Sequence, residues 1–176
     1  MKILKFFLFT AAILTFAACS SDDDVTTPVV ELTNANLAGT YEIVFYEGSY
    51  TTTTEASNGS TVLVESETFT TDTFTNATFT FNEDGTYASS GNYRVTYVLT
   101  IAGQAPETEI EIEQFDSDGT FTTNNTSRTI TFDFDSIADV LLFDGTLLNI
   151  MGGDVDVFQG NTETDEFEIR LVRITD

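Results

Sequence analysis

The chain has 176 residues, with six lysines and arginines against 29 aspartates and glutamates, no histidine and a formal net charge of −23. That balance excludes nucleic acid as a partner, because binding to a phosphate backbone is driven by cationic side chains that displace counterions. With no histidine and a single cysteine, a serine or cysteine triad, an imidazole base and the usual transition-metal ligand sets are excluded too. Threonine, phenylalanine, valine, isoleucine and tyrosine dominate and proline occurs only twice, the composition of one all-β domain.

Residues 1–18 read as an export signal: Lys2 and Lys5 precede an apolar run from Phe6 to Phe16, and the small residues Ala17 and Ala18 follow. The run is too short to span a bilayer. Phe16-Ala17-Ala18-Cys19 resembles the lipobox of bacterial lipoproteins, which implies cleavage before Cys19 and acyl chains, palmitate among them, on its sulfur and new amino terminus. The alternative is a plain secretory signal that leaves Cys19 as a free thiol. Each buried methylene of an anchor contributes about 0.8 kcal/mol, and several chains make attachment durable. A lipidated Cys19 leaves no cysteine for a disulfide.

The acidic run Ser20-Ser21-Asp22-Asp23-Asp24 resembles the signal that sends lipoproteins of the Bacteroidota to the outer face of the outer membrane, and otherwise reads as the start of a solvated linker. Without the signal, four arginines (Arg94, Arg128, Arg170 and Arg173) stand against 29 carboxylates, a formal charge of −25. A field this negative favours solubility and repels anionic headgroups. The expected membrane partner is therefore outer-membrane lipid reached through the anchor alone.

Residues 19–36 read as a tether with a reach of roughly 20 to 25 Å. The domain, residues 37–176, opens with a strand over Tyr41–Tyr46, whose Tyr41, Ile43 and Phe45 share one apolar face. A Thr-rich segment containing Asn58-Gly59 is either a long loop or two strand tips joined by a turn. Strands are expected over Thr61–Phe69 and Phe74–Asn82, then a turn at Asn82-Glu83-Asp84-Gly85, a strand holding Tyr87, and a strong alternation over Tyr93–Ile101. Thr108–Phe115 places Ile110 and Ile112 opposite Glu109, Glu111 and Glu113, which read as the solvated face or, alternatively, as a cation-binding ladder. Asp116-Ser117-Asp118-Gly119 then reads as a hairpin turn into Thr120–Thr123.

Thr129–Phe134 is the next strand. Ser136-Ile137-Ala138-Asp139 resembles a capping box ahead of Val140–Phe143, which is one helical turn or a strand buried on both faces. Leu147–Met151 and Val155–Phe158 flank Gly152-Gly153, and Glu166–Ile174 closes the chain. Nine or ten strands joined by hairpins make an antiparallel up-and-down meander, and closure into a barrel would remove its unpaired edges.

Leu37-Ala38-Gly39-Thr40-Tyr41 resembles the Gly-x-Trp opening of lipocalins, and especially the start of lipocalin-like domains in Bacteroidota lipoproteins. Phe79-Thr80-Phe81-Asn82-Glu83-Asp84-Gly85-Thr86-Tyr87 resembles their recurrent hairpin. The resemblance implies a lipocalin-like (calycin) β-barrel in which Tyr41 stands where the family has tryptophan at the closed end. Arg173, or failing that Arg170, would cover it. The pair is structural, a guanidinium on a ring.

Asn82–Gly85 and Asp116–Gly119 resemble the front half of calcium loops, which makes Asp84, Asp116 and Asp118 weak Ca²⁺ candidates, but the same residues serve hairpin turns and no later bidentate carboxylate completes either loop. Asp135-Ser136-Ile137 matches a short O-glycosylation sequon or a helix start. No metal and no cofactor beyond the lipid on Cys19 is expected. Of sixteen phenylalanines four lie in the signal, and the other twelve with the six tyrosines either fill the interior or line a cavity. The function expected is that of a surface-tethered, non-enzymatic lipocalin-like lipoprotein binding a small apolar ligand or an envelope partner. The alternatives are a structural or adhesion accessory of an outer-membrane complex and, third, a carboxylate-pair glycan hydrolase.

Overall fold

The computed structural model describes residues 30–133, 136–158 and 160–175. Cys19, the run from Ser21 to Asp24, Phe134 and Asp135 lie outside the described residues. A short helix α1 (Asn34–Leu37) precedes eight strands: β1 (Gly39–Glu55), β2 (Thr61–Phe81), β3 (Thr86–Ile101), β4 (Glu107–Asn124), β5 (Thr129–Phe132), β6 (Ser136–Phe143), β7 (Leu147–Phe158) and β8 (Asn161–Arg173). Each pairs antiparallel with its chain neighbours, and β8 returns to β1, so the all-β meander closes a ring.

Eight strands replace the expected nine or ten because several expected breaks are bends inside longer strands. β2 runs through 21 residues, with register shifts against β3 between Thr71 and Thr73 and between Thr75 and Thr78. Asn76 sits in the second with φ 51°, so a bulge interrupts the alternation without ending the strand. Asp116–Gly119 is no hairpin. It lies inside β4, directly opposite Ser90 to Tyr87, because an unbroken ladder with β3 outweighs local turn chemistry. Ser136–Phe143 is a strand and not a helical turn, but it is not buried on both faces, since Leu141 and Leu142 are exposed, and β7 passes straight through Gly152-Gly153. The Asn58-Gly59 segment does join two strand tips, with the Gly59 N–H donating to the Ala56 carbonyl at 2.8 Å.

Two inside–outside assignments change. Against β8, the register of β1 slips between Ile43 and Phe45, so Tyr41 and Ile43 point inward but Phe45 turns outward and Tyr46 replaces it in the core. The second reversal is in β4. Glu113, Glu111 and Glu109 sit opposite Tyr93, Val95 and Tyr97, and directly paired residues share a face. Since Tyr93 and Val95 are buried, the glutamates lie on the concave side, while Ile110 and Ile112 are 64% and 78% exposed.

The core fills the end of the ring where all eight strands meet, around Tyr41, Ile43, Phe81, Phe121, Ile130, Leu148 and Leu171. α1 caps this end. Thr33 accepts from the Asn36 N–H at 3.2 Å as the N-cap residue, and the helix buries Leu37. Residues 30–36 therefore belong to the folded unit and not to the tether expected to run to Asn36: Leu32 is 1% exposed, and its N–H donates to Asn125 at 2.8 Å. Truncating a side chain this buried costs about 2–4 kcal/mol. Leu32→Ala is expected to lower the urea midpoint accordingly with an unchanged slope, whereas a wild-type midpoint would return residues 30–36 to the tether.

Candidate functional site

The structure brings Tyr41 and Arg173 together at the closed end. They are direct partners across β1 and β8, and the Arg173 guanidinium carbon lies 5.0 Å from the Tyr41 ring centroid. Arg173 donates to the Ala38 carbonyl at 3.0 Å, the Asn36 carbonyl and the Tyr41 hydroxyl, while that hydroxyl donates to Leu37 at 2.9 Å. Gly39 makes this possible. Its φ of +147° is unfavourable for a side chain, and a Cβ there would stand 3.4 Å from the guanidinium. Burial pushes the Tyr41 hydroxyl pKa up, and Arg173 only partly opposes the shift. Arg170 is elsewhere, on the outer face over the Phe45 ring at 4.2 Å and bonded to Glu168 at 2.9 Å.

Above this floor lies a cavity of about 420 Å³. Tyr46, Phe115 and Phe167 form one wall and Phe79, Tyr87 and Phe132 another, with Ile150 and Ile169 beneath. The rings brace one another: Phe79 stacks on Tyr87 at 5.3 Å, Phe132 meets Tyr87 edge-on at 5.2 Å, and Tyr46 contacts Phe115 at 5.6 Å and Phe167 at 6.4 Å. Phe167 lies across Gly152 so closely that a Cβ there would fall 2.5 Å from its ring. A glycine on the concave face thus sets the ring's position.

The cavity has one polar side. Ser89 and Ser117 share a hydrogen bond at 2.7 Å. Asp133 accepts from the Thr120 hydroxyl at 2.5 Å and the Thr120 N–H at 2.8 Å, and these bonds hold its pKa below the usual carboxylate value. Asp118 stands at the rim. Beyond Phe115, Glu113 accepts from both Tyr93 and Tyr97 at 2.6 Å, so each of its oxygens has a donor. Burial first, and Glu113 second, push both tyrosine pKa values up. Tyr46 is raised by burial and then by Asp165 and Glu113.

The calcium candidates do not assemble. Asp84 serves its turn, accepting from the Thr86 hydroxyl at 2.7 Å and N–H at 3.0 Å. Asp116 and Asp118 lie in β4 opposite Ser90 and Ala88, and among the described residues no three acidic, histidine or cysteine side chains form a metal-holding group. The sequence reading misses Ser89, Ser117, Asp133 and Glu113 as neighbours of one interior, since only the β3–β4 register aligns them. Glycines at concave positions beside aromatics were the available signal. No family model, curated protein or solved structure matches the chain.

The tyrosines set an alkaline limit. Their pKa values are raised above the ordinary 10.0 in the folded state, so their contribution to stability is fully present below pH 10 and is lost as pH climbs from there through the higher folded values. The denaturation midpoint is expected to hold from pH 8 to about 9.5 and fall above pH 10, with tyrosinate absorbance appearing together with unfolding. Absorbance of four or more tyrosinates rising with the fold intact would show that these hydroxyls titrate freely.

Proposed function

We propose that the chain is a non-enzymatic, lipocalin-like barrel that carries a small apolar molecule while tethered to the outer membrane through a lipidated Cys19. The observation that carries this reading is the cavity of about 420 Å³ walled by six aromatic rings, within the range of roughly 300–1,000 Å³ typical of small-molecule sites. Ile150 and Ile169 add aliphatic lining, and its polar side offers hydroxyls and carboxylates that fix orientation. Asp118 and Asp133 beside the cavity, in a chain of formal charge −23, disfavour fatty-acid anions and favour a neutral or cationic ligand. The sequence supports the location: an export signal over 1–18, Cys19 at a lipobox, and Ser21 with Asp22, Asp23 and Asp24 as the signal for cell-surface display. The second reading, docking to an envelope partner, is favoured by strand edges at the wide end.

Two measurements test the main reading. Titration with environment-sensitive dyes and with neutral and cationic lipids is expected to give saturable micromolar binding. Ile150→Trp, which fills the cavity at an overpacking cost of about 1–3 kcal/mol, should weaken that binding at least about tenfold. Binding that is absent, or indifferent to the substitution, rejects carriage. Separately, Cys19→Ser is expected to move the protein from the membrane to the soluble fraction and remove the acyl mass from its amino terminus. Unchanged membrane association would sink the anchor.

A further inference from the structure

The eight-stranded closure is confined to one end. β5 reaches only Phe121–Asn124 of β4, and β6 pairs with β7 only as far as Gly152. Among the described residues, Glu107–Gly119 of β4 pair with β3 alone, and Gly153–Phe158 of β7 pair with β8 alone. The wide end is therefore a curved sheet of six strands with two edges, and the cavity between Phe115 and Phe167 lies at the base of the gap between them.

We propose that this gap takes up an extended, basic segment of a partner protein, which pairs with the free edge of β4 as an added strand. A row of unpaired N–H and C=O groups is a template for another chain, and proteins usually blunt it with a bulge, a proline or charged side chains. This stretch of β4 has no bulge and no proline, and what guards it is a row of concave glutamates that repels an acidic strand but not a basic one. Its register against β3 runs unbroken from Thr86↔Thr120 to Leu99↔Glu107, whereas the β1–β2, β1–β8, β2–β3 and β6–β7 ladders all contain shifts.

Charge selects the occupant. Glu107, Glu109 and Glu111 line the concave side of that edge, and across the gap Asp154 faces Asp165 and Asp156 faces Glu163 as direct cross-strand pairs. Like charges placed opposite one another destabilise a sheet. A second copy docking edge to edge would add glutamates to glutamates, whereas a strand with Lys or Arg at every second position relieves the repulsion. Its intervening residues would lie beside the outward Ile110 and Ile112, which are exposed, so the matching pattern alternates Lys or Arg with Val or Ile. Main-chain bonds would give affinity and the alternating side chains specificity.

The test uses the purified protein and a labelled peptide of alternating lysine and valine, about eight residues long to match the glutamate-bearing stretch 107–114 of the edge. Anisotropy is expected to show saturable binding that weakens in about 0.5 M NaCl, with hydrogen-exchange protection concentrated in residues 107–114. N-methylation of alternate peptide nitrogens should weaken binding at least about tenfold, as should the combined substitutions Glu107→Gln, Glu109→Gln and Glu111→Gln, all at exposed positions. No binding at low salt overturns the proposal. So does equal binding of the N-methylated peptide, which would show attraction to the acidic chain without strand addition, and so does protection confined to β7 or elsewhere. A dimer held through β4 that ignores the peptide would make a second copy the occupant and also overturns it.

Discussion

The pairing of β8 with β1 is the constraint on which the rest of the structure depends. It turns a meander into a ring, and the slip between Ile43 and Phe45 decides which aromatics serve the interior. Below the slip, Tyr41 and Ile43 are fully buried and belong to a floor completed by α1 and Arg173. Above it, Tyr46 takes the inward place and anchors the cluster that includes Phe69, Tyr93, Phe115 and Phe167. Without that one extra residue, Phe45 would point into the cavity and Tyr46 into solvent. The outer-face stacking of Arg170 on Phe45 is a consequence of the same slip.

Alternation shows that a strand has two faces but not which of them is inside. Tyr93–Ile101 and the turn at Asn82–Gly85 were legible because periodicity and turn chemistry agree there. In β4 they conflict. Ile110 and Ile112 look like core by hydropathy, but Tyr93 and Val95 on the neighbouring strand fix the glutamates to the concave side. Asp116–Gly119 has turn composition yet lies in mid-strand, since chain geometry many residues away supplies the ladder that keeps it extended. Bulges erase period two locally, so β2 reads as two strands when Asn76 merely bends one. The Tyr41–Arg173 pair was legible from the chain's two ends. The cavity was not, because its lining is assembled from all eight strands by registers that no local window contains.

The interior changes character along the axis. At the narrow end aromatic and aliphatic side chains pack beneath the Arg173 guanidinium, with no carboxylate in the core cluster, which suits a domain that must hold together by burial. Toward the wide end carboxylates take the concave positions, and the first of them, Glu113, is held by two tyrosine hydroxyls. Such an arrangement keeps a buried-side acid satisfied, because hydrogen bonding to a charged group offsets part of its desolvation. It also keeps Tyr93 and Tyr97 in fixed donor roles beside the aromatic cluster.

Charge and closure work together in this architecture. Six strands extend past the point where β5 and β6 complete the ring, and an open sheet of that kind invites self-association through its edges. Acidic residues on the concave side oppose pairing between copies at little cost to the fold, because Glu107, Glu109 and Glu111 of β4 remain solvated. The repulsion is not indifferent to sign, however. A device that keeps like chains apart draws a basic strand in, so the feature that protects an open edge also specifies the kind of chain that can close it.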